Sequence, residues 1–385
     1  MGLQDDGFLR RAKITIPAAQ IATGGVSNYT PIFTEAGIDS SHAIWSEAQS
    51  NGGDLRLSSD VNGNTRLALD LISIDTAAKT LEMAIQPQSL SAITDNELYL
   101  WWDHVSTQSQ PSRTDTHGQD NAYHSSHNGH WPINDDPSGT APQMINRTAT
   151  ANYDGTTGGS MTSGDLVSAQ IGDGWEFDGV DDDVSFPDDL DTPLQDSSVS
   201  LFGWVKISTG STTAQVLFSR GLVGTGGIRY GLTVQMTTGG GVSLQRRVGN
   251  ANVNALTEGV APSQDVWYHI GATFNKSTGD GEIFKNGVSV GSVTGWDTAD
   301  VAYLATRDEG WYSGALRRNG SNAWSEGVND YISLWNRVLS SAEIETLYNN
   351  TNAPGTFATL GTAESVGGSS RRALSGLSGL SGITT

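Results

Sequence analysis

The stretch that decides the fold lies near the middle of the chain and reads GWEFDGVDDDVSF, residues 174–186. Its first half alternates apolar and polar side chains, with Trp175 and Phe177 on one side, as in a half-buried β-strand. The alternation breaks at Asp178-Gly179, a dipeptide that favours tight turns between strands. It resumes after three consecutive aspartates. We therefore predict a strand, an acidic turn and a returning strand, which together open the second of two domains.

The composition of the whole chain also indicates β structure. The protein has 385 residues, of which 36% are hydrophobic and 16% charged, and 47 are glycine. This composition is typical of turn-rich all-β proteins, and the length is sufficient for two domains. The net charge of −21 argues against nucleic-acid binding, which needs clustered lysine and arginine, and suits solubility or divalent cations. The absence of cysteine excludes disulfides and thiolate metal sites.

Short alternating runs also fill residues 8–102, at a spacing of roughly ten residues with turn signals between them, which indicates a sandwich or barrel. No run of about 18 apolar residues is present, so we predict no membrane-spanning segment. The fold class that we predict is all-β, with two β-sandwich, jelly-roll-like domains. The predicted divisions are a first domain at 1–110, a long polar connection at 111–172, a second domain at 173–352 and a flexible or partner-bound tail at 353–385.

Four motifs in the first part of the chain are Arg11-Ala12-Lys13-Ile14-Thr15-Ile16, Gly53-Asp54-Leu55-Arg56, Leu98-Tyr99-Leu100-Trp101-Trp102 and the segment from Ala122-Tyr123 to His130-Trp131. With them, residues 8–145 resemble the uncharacterised β domain that often precedes laminin-G-like domains in bacterial, archaeal and phage surface proteins. The Tyr-Gly-Asn usual in that family is replaced here by Trp102-Asp103-His104. The resemblance implies no activity.

The second half carries a different ordered set of motifs. They are Phe177-Asp178-Gly179-Val180-Asp181-Asp182, Gly203-Trp204-Val205, Trp267-Tyr268-His269-Ile270, Phe284-Lys285-Asn286-Gly287 and residues 327–344. The Asn-Gly pair predicts a type I′ turn, and Ser340 with Glu343 predicts a capped helix. As a set, the motifs make residues 173–350 resemble the laminin-G-like, pentraxin-like branch of the concanavalin A-like domains. That resemblance implies a two-sheet jelly roll of about a dozen strands.

The resemblance also implies a metal site. Relatives with this fold often hold one structural calcium ion between an aspartate of the first strand and one of the last strand. Carried over, these residues are Asp178 and Asp330, with Asp181 and Asp182 as further ligands. Carboxylates are the hard oxygen ligands that calcium prefers. The alternative is that Asp178 only forms the turn and Asp330 only caps a strand.

A ligand-binding surface is predicted in the irregular section between residues 296 and 324. Aromatic rings stack on the apolar faces of sugars and amides bond their hydroxyl groups, and binding residues concentrate in loops. The residues selected are Trp296, Trp311, Tyr312, Asn322 and Trp324. The alternative is that these rings cover the edge of the sandwich or a subunit contact.

Histidines cluster in the polar connection. His117, His124, His127 and His130 lie among four acidic residues, Asp115, Asp120, Asp135 and Asp136. Such side chains are ligands for zinc and other transition metals. Their spacing matches no zinc signature, however, so polar packing of a loop is the favoured interpretation and a metal site the alternative.

No catalytic motif was found. A glycosidase of this superfold would carry paired carboxylates on one strand, and no such strand, nucleophile elbow, HExxH helix or P-loop occurs in the sequence. We therefore expect a non-enzymatic virion-surface structural protein, a capsid decoration or fibre-like protein, with a lectin-like domain that binds glycans. Structural calcium is the candidate cofactor. The lack of a signal peptide and of cysteine favours the virion hypothesis. The alternative is a bacterial secreted or cell-surface carbohydrate-binding adhesin.

The expected partners are other virion or surface subunits, contacted through the termini in a homo-oligomer or larger assembly, together with glycans but no nucleic acid or membrane. The tail repeats Leu-Ser-Gly, and its regularly spaced apolar residues are suited to a groove on a neighbouring subunit. The alternative is a disordered tail. These apolar residues are Leu374, Leu377, Leu380 and Ile383.

Overall fold

The computed structural model describes residues 2–149, 153–190, 197–220, 231–248, 252–298, 310–317 and 322–366, and all elements named here lie within them. Most of these elements are strands in antiparallel sheets, which confirms the predicted all-β class. In the described ranges, no helix is long and apolar enough to cross a membrane.

The first domain consists of three sheets around one core. Strands β1, β9, β4 and β5 form one sheet in that order, β3, β7 and β6 form another, and β2 pairs with β8. The bounds are β1 (Phe8–Ile16), β2 (Val26–Tyr29), β3 (Ile32–Thr34), helix α1 (Ile44–Glu47), β4 (Arg56–Ser58), β5 (Arg66–Leu67), β6 (Leu69–Asp75), β7 (Thr80–Ile85), β8 (Gln88–Leu90) and β9 (Asn96–His104). Short 3-10 helices lie at Ala18–Gln20 and Glu35–Gly37.

The second domain consists of two long sheets packed face to face. Its strands are β10 (His127–Trp131), β11 (Thr156–Gly158), β12 (Leu166–Ser168), β13 (Asp173–Asp178), β14 (Asp183–Phe186), β15 (Val199–Ile207), β16 (Gln215–Arg220), β17 (Gly231–Thr237), β18 (Gly241–Val248), β19 (Asn252–Thr257), β20 (Trp267–Asn275), β21 (Asp280–Lys285), β22 (Val288–Val293), β23 (Trp311–Ser313), β24 (Ala315–Leu316), β25 (Ala323–Trp324) and β26 (Glu326–Trp335). Further 3-10 helices lie at Gln119–Ala122, Ser163–Asp165 and Asp188–Leu190.

In the second domain, one sheet has the order β12-β13-β26-β15-β20-β21-β22, with β10 added beside β26, and the other has the order β11-β14-β23-β16-β17-β18-β19. The inner faces bury a single core. Trp175 and Phe177 point into that core while Glu176 and Asp178 are exposed. The alternation of residues 174–186 thus predicts both strands and the turn correctly, but β13 and β14 do not pair with each other, because they belong to different sheets. Gly179 has φ +77°, the left-handed conformation that the turn requires.

The polar connection at residues 111–172 contains strands that the sequence pattern did not reveal. Its strands β10, β11 and β12 all pair with strands of the second domain. His130 pairs with Ser333 and Trp131 with Ile332. These pairings give the backbone groups of the connection hydrogen-bond partners inside the fold, which a buried polar segment needs.

The C-terminal part corrects one expectation. Helices α2 (Ser341–Asn352) and α3 (Pro354–Phe357) lead into β27 (Thr359–Leu360) and β28 (Glu364–Ser365), and both strands pair with β1. Residues 353–366 therefore complete the first sheet instead of forming a flexible or partner-bound tail. The remaining part of the predicted tail, with the Leu-Ser-Gly repeat, lies outside the described residues. Ser340 caps α2 with Glu343 as predicted.

The two domains share a packed junction. Trp335, Leu339, Ile344 and Leu347 of the C-terminal part lie in the same buried cluster as the core of the first domain. Polar contacts cross the junction as well, because Arg147 Nε donates to Asp70 Oδ2 at 2.9 Å. The second domain thus closes the core of the first.

Candidate functional site

Three carboxylates meet in the turn between β13 and β14. One ligand oxygen from each of Asp178, Asp181 and Asp182 lies within 4.8 Å of the others. The turn is held by its own backbone, since the Val180 amide donates to Asp178 Oδ1 at 2.8 Å. The Ser160 amide donates to Asp182 Oδ1 at 3.2 Å. The local sequence thus concentrates negative charge at one end of the sandwich.

The carboxylates of this turn differ in environment. Asp178 and Asp181 are exposed, whereas Asp182 is only 2% exposed. Burial, with a smaller contribution from the charge of Asp178, raises the pKa of Asp182 to about 6. Two exposed carboxylates and one that is costly to ionise form an oxygen donor set whose chemistry fits a hard divalent cation, because the ion would offset the repulsion among the three carboxylates.

Asp330 does not belong to this cluster, contrary to the ion-binding pair expected from the resemblance. The register of β13 against β26 places Asp178 opposite Glu326. Asp330 lies four residues further along β26, about 13 Å away. It is fully buried and its Oδ2 accepts a hydrogen bond from the Ile171 amide at 2.9 Å. Its carboxylate belongs to the domain junction.

The predicted aromatic surface is divided by the structure. Trp311 is completely buried and stacks on Phe218 at a centroid distance of 5.3 Å. It is therefore a core residue, and its prediction as a ligand contact is wrong. Tyr312 faces the opposite side of β23 and is also buried, with only 9% exposed, so neither ring lies open on the surface.

Trp324 lies next to the acidic turn. The Arg317 guanidinium lies 4.8 Å from the Trp324 ring centre and 5.1 Å from that of Tyr312. The same group donates from Nε to Asp183 Oδ2 at 2.6 Å, and Asp183 directly follows the acidic cluster. Asn322 is exposed two residues before Trp324. We call the surface formed by Asp178, Asp181, Asp182, Arg317 and Trp324 the acidic rim.

Trp296 is remote from the acidic rim. It follows β22, and β22 lies five strands from β13 in the sheet order, a separation of about 24 Å. Its half-buried ring packs on the second core, 6.4 Å from the ring centre of Phe274. Trp296 and Trp324 therefore do not form one surface.

The histidine cluster separates in a similar way. His117 lies apart from a small cavity at the domain junction that His124, His127 and His130 line. The four acidic residues near them in sequence are placed elsewhere. Asp115 accepts a hydrogen bond from the His117 amide, and Asp120 pairs with Arg113. Asp136 accepts hydrogen bonds from Ser138, and the exposed Asp135 accepts the Trp175 indole N–H at its backbone carbonyl. In the described ranges, no histidines and carboxylates form a group of three with metal-ligand spacing. The one group of three found in these ranges consists of Asp178, Asp181 and Asp182.

Arg317 of the acidic rim and its partner Asp183 escaped prediction from the sequence. Arg317 and Asp183 are 134 positions apart, and nothing in the pattern near either residue signals the pair. The available sequence signal is that Arg317 is a cation in a segment rich in tryptophan and asparagine. This signal does not indicate that Asp183 is its ion-pair partner.

Comparison with known proteins identifies the second domain. Residues 178–345 match the family model described as the concanavalin A-like lectin/glucanases superfamily. This part of the chain is a concanavalin A-like domain of the laminin-G type, as the motifs predicted. The resemblance of residues 8–145 to the uncharacterised β domain stays a prediction. No curated protein matches the chain.

Solved structures similar to the chain include carbohydrate-active proteins. Domain 4 of an extracellular arabinanase from Geobacillus stearothermophilus, solved with arabinotriose, aligns with a TM-score of 0.42 and 15% identity over 58% of this chain and 98% of that one. A carbohydrate-binding module of a Ruminococcus gnavus sialidase, bound to sialyllactose, gives 0.38 and 18% over 46% and 96%. A sialidase mutant from Trypanosoma rangeli gives 0.41 and 16% over 72% and 43%.

Proposed function

We propose that this protein is a non-enzymatic, surface-exposed carbohydrate-binding protein and that sugars bind at the acidic rim. The observation that supports this most directly is the position of Trp324. Its half-buried indole is held by Arg317 beside three clustered carboxylates, at one end of a concanavalin A-like domain. An aromatic ring fixed in this way offers a rigid apolar surface at low cost in side-chain entropy.

Each group of the acidic rim has a distinct role in this proposal. The indole of Trp324 packs against the apolar face of a sugar ring. The exposed amide of Asn322 bonds hydroxyl groups, since an amide both donates and accepts hydrogen bonds. Asp178, Asp181 and Asp182 hold a calcium ion, which neutralises the turn and keeps its backbone in place. The calcium ion is thus a structural component of the proposed site.

We further propose that the protein is a structural component of a virion surface, as a decoration or fibre-like subunit in an oligomer. The sequence supports this through the absence of cysteine and through the Leu-Ser-Gly repeat, which suits contact with a neighbouring subunit. A secreted or cell-surface adhesin is the second candidate. The resemblance of residues 8–145 to a domain of bacterial, archaeal and phage surface proteins favours neither over the other.

A glycan array probed with the full chain tests the binding function. We expect binding to a restricted set of glycans in the presence of calcium and weaker binding after chelation. Failure to bind any glycan in either condition would contradict the proposal. Mass spectrometry of purified virions tests the assembly role separately, because a virion component is recovered in stoichiometric amounts whereas an adhesin is not.

A further inference from the structure

A cavity of about 30 Å³ lies at the junction of the two domains, outside the acidic rim. Its walls include His127 and His130 of β10 and Tyr331 of β26. We infer that His127 and His130 bind a transition-metal ion of the zinc type in this cavity through their Nε2 atoms. The ion would join the strand of the polar connection to the junction between the domains.

Unpaired polar atoms are the first observation that supports a ligand here. His127 is 6% exposed and His130 1% exposed, and the Nε2 atom of each ring has no hydrogen-bond partner. The hydroxyl of Tyr331 is also buried, but it interacts with the carboxyl of Glu82. A buried polar atom without a partner destabilises the folded state by about 1–3 kcal/mol. Two such nitrogen atoms at one cavity indicate that a bound group satisfies them.

The two imidazoles face the same cavity because the strand is irregular. Residues three apart in a regular strand point to opposite faces of the sheet. The register of β10 against β26 shifts between His127 and Gly129, which adds one residue to β10 at this point. Such a bulge redirects side chains, and here it brings both rings to the cavity.

The distance between the rings fits a shared ion. With metal–nitrogen bonds of about 2.1 Å and a tetrahedral angle, two imidazoles bound through Nε2 have ring centres about 5.3 Å apart. The measured separation is 5.4 Å. The cavity volume accommodates one ion with a water molecule, and Tyr331 lines the remaining wall.

Surrounding groups fix both rings. His130 Nδ1 lies 2.8 Å from Ser333 Oγ, and in the tautomer in which Nδ1 donates this bond, Nε2 carries the lone pair that a metal requires. His127 stacks on Trp335 at a centroid distance of 4.4 Å. Arg337 also lines the cavity, and it is paired with Glu343, so its charge is compensated. His124 also lines the cavity, but its Nδ1 accepts from the Ser126 amide, which leaves the proton on Nε2.

Cobalt(II) titration of the full chain tests this inference, with excess calcium present to occupy the acidic rim. Tetrahedral cobalt with nitrogen ligands absorbs visible light strongly, whereas octahedral cobalt with oxygen ligands absorbs weakly. We expect one equivalent to give the tetrahedral spectrum and zinc to displace it. His130→Gln should lower cobalt affinity at least about tenfold, and Ser333→Ala, which keeps both ligands, should lower it by about tenfold.

Two control variants separate ligand loss from general disturbance. His117→Gln changes a histidine that lies outside the cavity. His269→Gln changes a buried histidine that, like His127 and His130, has an unpaired nitrogen but does not line the cavity. Both should bind cobalt like the wild type. The inference is wrong if no tetrahedral spectrum forms, or if His130→Gln and Ser333→Ala bind cobalt as tightly as the controls. A crystal structure grown with zinc that shows only water between the two rings would overturn it as well.

Discussion

Arg317 donates to Asp183 at 2.6 Å and at the same time lies 4.8 Å from the ring centre of Trp324. A single side chain therefore connects the acidic turn of residues 178–183 to the strand that carries Trp324, the half-buried aromatic residue of the rim. Asp183 is only 1% exposed, so its carboxylate is removed from water, whereas the Arg317 side chain is 33% exposed. The geometry of the proposed binding surface depends on this contact.

Replacement of Arg317 by alanine should destabilise the protein strongly. The change leaves the buried Asp183 carboxylate without its cation, which typically lowers the free energy of unfolding by about 3–5 kcal/mol. Urea unfolding followed by tryptophan fluorescence measures the effect. Lys13→Ala is the control, because the Lys13–Glu97 pair is exposed and its loss should change stability by less than about 1 kcal/mol. Equal effects of the two substitutions would refute the structural role of Arg317.

Trp311 and Trp324, both of the predicted ligand surface, should respond differently to mutation. Trp311→Ala removes a completely buried ring and should lower the free energy of unfolding by about 3–5 kcal/mol. Trp324→Ala removes a half-buried ring and should cost much less. Thermal unfolding of both variants distinguishes them. A larger loss for Trp324→Ala than for Trp311→Ala would contradict their assigned positions.

Calcium should bind at the acidic rim through exposed carboxylates. Asp181→Asn removes one negative ligand without leaving a buried gap, and we expect calcium affinity to fall at least about tenfold. Isothermal titration calorimetry measures the affinity. Asp136→Asn, which alters another exposed aspartate, should bind calcium like the wild type. A wild-type protein that binds no calcium, or equal affinities for the two variants, would exclude this site.

The buried carboxyl of Glu82 should make stability depend on pH. Burial, reinforced by the charge of Asp70, raises the pKa of Glu82 from 4.5 to about 8. Between pH 4.5 and about pH 8, Glu82 is therefore protonated in the folded state and ionised in the unfolded state. Its contribution to stability consequently falls as the pH rises through this range.

Glu82→Gln cannot ionise and isolates this effect. The stability of the variant relative to the wild type should increase between pH 5 and pH 8, by up to about 1.4 kcal/mol per pH unit. Urea unfolding at several pH values measures the difference. Glu97→Gln, at an exposed position, is the control. A difference that does not change with pH would show that Glu82 is ionised in the folded protein throughout this range.

Local patterns were sufficient to predict much of the fold. The alternation of Trp175 and Phe177 placed β13 correctly because only the apolar side enters the core. Asn286 and Gly287 both have positive φ, as a type I′ turn requires. These features depend on residues close in sequence, so their physical causes can be read from a short segment.

The candidate site depended instead on contacts between distant residues. Asp330 was assigned to the ion site because it lies on the last long strand, but the register of β26 places it about 13 Å from Asp178. Trp311 and Tyr312 were both predicted as ligand contacts, although neighbouring residues of a strand face opposite sides of the sheet. Arg317 was missed, since its partner comes from another part of the chain. Long-range pairing, which sequence patterns do not specify, decided each of these cases.

The most direct test of the proposed function is the affinity of Trp324→Ala for the strongest glycan found on the array, compared with wild type and with Trp267→Ala. Trp267 is the matched control because it is also half-buried with a cation, Lys206, over its ring, but it lies on β20. We predict that Trp324→Ala loses at least about tenfold in affinity, equivalent to a stacking contribution of about 1.4 kcal/mol, and that Trp267→Ala binds like the wild type. Unchanged affinity of a folded Trp324→Ala variant would contradict sugar binding at the acidic rim.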